Sequence, residues 1–242
     1  MLKTLDSALA LLTRFTLEEP TWGVRELAKE TDVHHSIVHR VLATFAANGF
    51  LIQDSAGRYS LGLRLFELGQ IAHRTFAPSE IVQPALDALA HDSGETVFLS
   101  LLDGMQGVCT DIAQSQQQLR FSIEVGQRFR LIAGAHAKAI LAFQPDEFRA
   151  AVYQEAHLSD GSAIDARLDQ VRADGWSHTR EEAAATVAGL AVPLWSRDRR
   201  RVIGSLSIAG PVQRLDGEAV PRLIEALKKT RETIEPVVGL LR

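Results

Sequence analysis

The chain opens with short apolar-periodic stretches separated by clear breakers. Leu5, Ala8, Leu9 and Leu12 keep helical spacing and predict a helix over 4–13. Glu18-Glu19-Pro20-Thr21-Trp22-Gly23 breaks the pattern and predicts a loop. Val24, Leu27 and Ala28 support a short second helix that ends near Lys29, and Thr31-Asp32 supplies a turn before a third. That third helix runs from about His34 to Ala47 on the apolar positions Ile37, Val38, Val41, Leu42 and Phe45, with Ile37, Val41 and Phe45 expected to face the core. It stops at Asn48-Gly49, residues that tolerate a left-handed backbone. Phe50-Leu51-Ile52 and Arg58-Tyr59-Ser60-Leu61 flank Asp54-Ser55-Ala56-Gly57, which predicts a hairpin. Three short helices followed by a hairpin make a winged helix-turn-helix over 1–62. Leu65, Leu68 and Ile71 then mark a linker helix over 63–77, closed by Pro78.

From residue 78 to 242 the period changes repeatedly. A helix is predicted over 79–91, strands over 96–102 and 107–113, and a further strand over 119–125. Residues 135–143 form a helix rich in small side chains, and Ile164, Leu168 and Val171 mark another that ends at Asp174-Gly175. Two apolar runs, 187–195 and 202–209, surround Ser196-Arg197-Asp198-Arg199-Arg200-Arg201 and predict a hairpin with a basic tip. A last long helix starts near Gly217. Hairpins with segregated helices indicate an α+β class with an antiparallel sheet, not a doubly wound α/β fold.

Composition narrows the function. The net charge of −4 gives no global basic field to recruit nucleic acid. Over residues 1–75, eight Lys or Arg are matched by eight Asp or Glu, so tight DNA binding requires paired copies on paired half-sites. The single cysteine, Cys109, excludes an intrachain disulfide framework and is expected to be a buried strand residue. No apolar run reaches a membrane span and no signal peptide is evident, so the chain is expected to be cytoplasmic and nucleoid-associated, with no membrane partner.

Three of the eight histidines, His34, His35 and His39, fall inside six positions. Metal binding is a poor reading, because two imidazoles at i and i+4 fall short of the four ligands of a structural zinc. Catalysis is also poor, since Ser36 and Asp32 on a short exposed helix make no concave site. A readout face fits better. His35, Ser36, His39, Arg40 and Thr44 are short-stemmed hydrogen-bonding groups beside an apolar stripe, as a helix in a major groove requires. A solvated helix face with no partner is the plain alternative. With Arg25, His34, Arg58 and Tyr59 these residues form the candidate DNA-binding set, and the imidazoles put a proton-dependent charge on it.

The chain resembles the IclR family of bacterial transcriptional regulators. The resemblance rests on Leu5-Asp6-Ser7-Ala8-Leu9, Val24-Arg25-Glu26-Leu27-Ala28, Ser36 through Thr44, Asn48-Gly49-Phe50, Gly57 through Gly62 and Leu65 through Gly69. In the second part it rests on Lys138 through Ala142, Val171 through Trp176, Ala191-Val192-Pro193 and Leu206 through Pro211. No single motif is decisive; the ordered set covers nearly the whole chain. It implies a winged helix, a linker helix, a C-terminal GAF-like effector-binding domain, and homodimers or dimers of dimers on a palindromic double-stranded operator. His34-His35 stand where the family tends to have Pro-Lys, Ala137 and Thr186 where it tends to have Gly, and Ala209 where some members have Ser.

A sensor pocket needs an apolar lining and a few convergent polar groups. The candidates for an effector, expected to be a carboxylate, are Ala135, His136, Lys138, Glu182, Pro193, Ser205 and Ser207, with the start of the 135–143 helix favouring an anion. Ser205 and Ser207 alternate to one side of their strand. No nucleophile elbow, P-loop or dinucleotide fingerprint is present, so no catalytic residue, cofactor or metal is expected. A second domain that only oligomerises, and less favourably a hydrolase, are the alternatives.

Overall fold

The computed structural model describes residues 2–76, 79–158 and 161–238. The chain divides into two compact units, Met1–Ala72 and His73–Arg242. The predicted boundary at 77/78, with Pro78 as its helix stop, lies outside the described residues.

In the first unit α1 (Lys3–Leu12), β1 (Thr21–Trp22), α2 (Val24–Thr31), α3 (His35–Ala47), β2 (Leu51–Gln53) and β3 (Tyr59–Leu61) precede α4 (Leu63–Phe76). The expected loop at 18–23 is in part a strand. Thr21 and Trp22 pair antiparallel with Ser60 and Tyr59, giving the wing a third strand in the order β1-β3-β2. The core is Leu11, Phe15, Leu27, Val38, Leu42, Leu51 and Tyr59. The predicted α1 stripe is rotated: Leu11 is buried, whereas Leu5 and Leu9 are exposed. Gly49, at φ 76°, ends α3 in the left-handed region, where a side chain is strained. At the start of α2 the Gly23 N–H donates to Glu26 Oε2 at 3.1 Å, a cap that reuses a first-turn acid.

The second unit holds α5 (Ser79–Ser93), β4 (Thr96–Asp103), β5 (Gln106–Ala113), β6 (Arg128–Arg130), α6 (Ala135–Leu141), α7 (Asp146–Glu155), α8 (Ser162–Asp174), β7 (Ser177–Arg180), β8 (Val187–Trp195), β9 (Val202–Pro211) and α9 (Ala219–Ile234). Six antiparallel strands run in the order β6-β5-β4-β9-β8-β7. The strand expected over 119–125 is not there: the edge of β5 pairs instead with Arg128–Arg130, and residues 119–125 pass as irregular chain with Leu119 and Val125 exposed. Two further elements, α7 and β7, go beyond the sequence expectation. α7 is not anticipated there, although its Phe148, Val152 and Tyr153 pack into the core around Leu141 and Leu168, and β7 is the polar run Ser-His-Thr-Arg at the sheet edge.

Alternation along the strands assigns the two faces of the sheet. Val97 and Leu99 of β4, Leu190, Val192 and Leu194 of β8, and Leu206 and Ile208 of β9 join Val82 and Leu86 of α5 and Leu223 and Leu227 of α9 in the main core. The intervening residues, Phe98, Ser100, Ala191, Pro193, Ser205, Ser207 and Ala209, line the opposite face, against whose β7, β8 and β9 strands α6 packs, Ala135 and Ala139 meeting Ala191. Cys109 lies with Phe98, Ile123 and Ala209, fully buried, and burial beside Asp111 pushes its thiol up to about 12. It is an inert packing residue at neutral pH.

Candidate DNA-reading face and effector-binding sheet face

The core face of α3 is set by Val38 and Leu42, both 0% exposed, with Val41 and Phe45 packed beside them. Ile37 lies one position off that stripe and is exposed, which corrects the expectation that it faces the core. It joins His35, Ser36, His39, Arg40 and Thr44 on the solvent side. Counting the stripe as 38, 42 and 45, not 37, 41 and 45, would have found it in the sequence.

His34 caps α3. Its Nδ1 accepts from the Ser36 N–H at 3.4 Å and lies 2.9 Å from the Ser36 hydroxyl. A histidine thus replaces the usual Ser, Thr or Asp at this position. The His34 and His35 rings stand 4.4 Å apart. Thr44 Oγ1 donates back to the Arg40 carbonyl at 2.8 Å, whereas no protein group among the described residues holds the Arg40 guanidinium.

Two members of the candidate DNA set have other roles. Tyr59 is 1% exposed and belongs to the core of the first unit, so its side chain is no part of the surface. Arg58 donates to both carboxylate oxygens of Glu26, at 2.9 and 3.1 Å, and to the Thr21 carbonyl at 2.9 Å, which fastens the wing to α2. The Gly23 N–H and Arg58 hold the Glu26 carboxyl below the usual carboxylate range. Arg25 is exposed on α2.

In the second unit the candidate effector residues fall into three places. Ala135 and His136, with Gly134, Thr179, Gly189 and Ala209, line a small pocket of about 20 Å³, room for one water molecule. His136 makes no hydrogen bond among the described residues. Its ring packs edge-on against Phe129 at 4.3 Å and Phe98 at 5.4 Å and lies across Gly134, whose φ of 88° and close approach to the imidazole leave no room for a Cβ. Desolvation, and secondarily the Lys138 charge, lower the His136 pKa to about 4, so the ring is neutral at pH 7.

Lys138 points elsewhere. It is 4% exposed and forms an ion pair with Glu182, which also accepts from the Gly134 N–H at 3.5 Å and from Arg167 at 3.4 Å. The anion expected at the start of α6 is therefore supplied by the protein itself. With seven residues, α6 is also too short for its dipole to define a site. Ser205 and Ser207 lie beneath α6 in register with Pro193 and Ala191, and with Ser100 and Phe98 across β4. Ser100, Ser205 and Ser207 are each no more than 1% exposed, and none of their hydroxyls has a hydrogen-bond partner among the described residues. Buried hydroxyls are normally paired, so three on one face form a polar surface that the fold itself does not use.

Known proteins match both units. Residues 4–55 match the profile of the IclR helix-turn-helix domain, and residues 78–235 that of the bacterial transcriptional regulator IclR C-terminal domain. The chain belongs to the IclR family. The HTH-type transcriptional regulator KipR of Bacillus subtilis is 30% identical over 98% of this chain and 97% of its own length. An IclR transcriptional regulator of Alicyclobacillus acidocaldarius shares the fold at a TM-score of 0.86, with 23% identity over 99% of this chain and 100% of that one. An IclR homologue from Microbacterium hydrocarbonoxydans, solved with 4-hydroxybenzoate, superposes at 0.81 with 21% identity over 96% and 97% of the two chains. IclR-family proteins regulate transcription and are not enzymes, which makes DNA the partner of the first unit. No helix among the described residues is long and apolar enough to cross a membrane.

Proposed function

We propose that this IclR-family regulator binds a palindromic operator through α3 and releases or grips it in response to a small carboxylate held between α6 and the sheet. The observation that carries the effector half is the set of buried, unpartnered hydroxyls of Ser100, Ser205 and Ser207 beneath α6. Such groups cost stability unless a ligand or water pairs them. The class of ligand is taken from the 4-hydroxybenzoate found in the Microbacterium homologue, a small carboxylate. The 20 Å³ pocket is too small for such a molecule, so binding has to widen it, through α6 or through the Phe121 and Ala183 walls that face α6.

Pairing of half-sites needs two copies. Leu2, Leu5 and Leu9 of α1, and Leu63, Phe66 and Ile71 of α4, are large apolar side chains left exposed, and they support a homodimer or dimer of dimers through the first unit and its helix. Effector and DNA are then coupled, and the coupling is reciprocal: operator DNA changes effector affinity by the same factor that effector changes operator affinity. Gel shifts on the DNA upstream of the gene, repeated against a panel of small aliphatic and aromatic acids, test this. An acid that shifts operator affinity in the wild-type protein and loses that effect in Ser207→Ala supports it. A panel with no effect on DNA or on thermal stability favours a domain that only oligomerises.

A further inference from the structure

A second cavity, about 210 Å³, lies on the other side of α6, between α6, α8 and β7. It exceeds the roughly 150 Å³ that accepts a benzene molecule in a protein interior. One stripe of α8 faces it: Arg167, Gln170, Val171 and Asp174, at i, i+3, i+4 and i+7. Lys138 comes from α6, and Trp176, Ser177 and His178 come from the edge strand and the turn before it.

Two of these groups have unmet bonding capacity in a desolvated place. The Lys138 ammonium carries three N–H donors, and among the described residues only the Glu182 carboxylate accepts from it. Ser177 is 1% exposed and its hydroxyl has no partner among the described residues. The other groups are committed. His178 Nε2 lies 3.0 Å from the Leu215 carbonyl, and Gln170 donates to Asp174 Oδ2 at 2.7 Å, which leaves Oδ1 of that carboxylate open. The cavity is therefore polarised. Lys138 and Arg167 share the single Glu182 carboxylate at one end, and Asp174 stands about 10 Å further along α8, seven residues at about 1.5 Å each. Val171 and the Trp176 indole provide apolar wall.

We propose that this cavity is a ligand site separate from the pocket at His136 and from the serines under α6, and that it takes a small single-ring carboxylate bearing a hydrogen-bond donor on the far side of the ring. The carboxylate accepts from the spare N–H groups of Lys138 and from Ser177, the ring lies against Val171 and Trp176, and the donor meets Asp174. Because Lys138 is shared with the Glu182 pair at the start of α6, a ligand here acts on the same helix from its outer side.

Calorimetric titration of the full chain with 4-aminobenzoate and with benzoate tests the site. The expected result is one bound 4-aminobenzoate per chain, tighter than benzoate. Ser177→Ala weakens it about tenfold, as the loss of one hydrogen bond to a charged group implies, without lowering the melting temperature. Gln170→Trp, an exposed substitution that fills the cavity without entering the core, abolishes binding. The proposal is overturned if the wild-type chain takes up neither acid at millimolar concentration, or if Gln170→Trp binds as the wild type does. Loss of binding in Ser207→Ala with binding intact in Gln170→Trp overturns it too, since the acid then sits on the sheet face.

Discussion

The two units place their polar groups in opposite ways. On α3 the core side is wholly apolar, and the polar side chains His35, Ser36, His39 and Arg40 stand in water. Under α6 the residues Ser100, Ser205 and Ser207, whose hydroxyls have no partner among the described residues, are each at most 1% exposed. A duplex arrives as a large, hydrated surface, so groups that read it must project. A small molecule is recognised by groups already stripped of water, where each unmet bond is worth more. One chain thus keeps two kinds of unused hydrogen-bonding capacity, and burial distinguishes them.

The largest expected effect breaks the first region alone. Leu42→Ala empties a fully buried position in the small core around α3 and costs that unit about 2–5 kcal/mol. Operator binding disappears at 37 °C, while a thermal scan retains the transition of the second unit. Loss of both transitions together would show that the two units melt as one.

Next in size is Arg40→Ala, expected to weaken operator binding by about 1–3 kcal/mol with no change in melting temperature, since the side chain is exposed and no group among the described residues pairs with the guanidinium. Arg58→Ala is its contrast. It removes the clamp on Glu26 and Thr21, so its effect on DNA comes with a lower melting temperature of the first unit. Equal binding by Arg40→Ala and wild type would remove α3 from the readout.

A smaller effect separates the units by pH. His136 is neutral when folded, with a pKa near 4 against 6.5 for the free side chain. Between those values the unfolded chain binds the extra proton. The stabilisation is therefore complete above pH 6.5 and is lost as pH falls towards 4, at no more than about 1.4 kcal/mol per unit. Chemical denaturation of the second unit at pH 7 and pH 5 is expected to differ by about 1–2 kcal/mol, and His136→Phe flattens that difference. An unchanged pH dependence in the variant refutes this role for the ring.

Much of this was legible in the residues. The helix-turn-helix, the two hairpins and the stop glycines were readable because amphipathic period and left-handed backbone are local properties: Gly49 carries its role in its place after α3, whereas the stripe of α3 itself reads one step off, with Ile37 and Val41 in place of Val38 and Leu42. The strand at Thr21–Trp22 and the polar edge strand Ser177–Arg180 were not, because an edge strand is made by its partner's free hydrogen bonds and not by its own hydrophobicity. Sequence spacing put Arg58 and Tyr59 together on the wing, but only the packed core shows that Tyr59 is swallowed and Arg58 tied down.

The candidate effector residues show the same division. Their sequence determined that His136 and Lys138 share a helix and that Ser205 and Ser207 share a strand face. It also determined the family, because an ordered set of short motifs survives at low identity. The tertiary structure alone decided that His136 and Lys138 look to opposite sides of α6, that Glu182 already occupies the anion's place, and that the serines lie buried and unpaired. Which groups lose water, and which find a partner, depends on segments far apart in the chain coming together, and no local period records that.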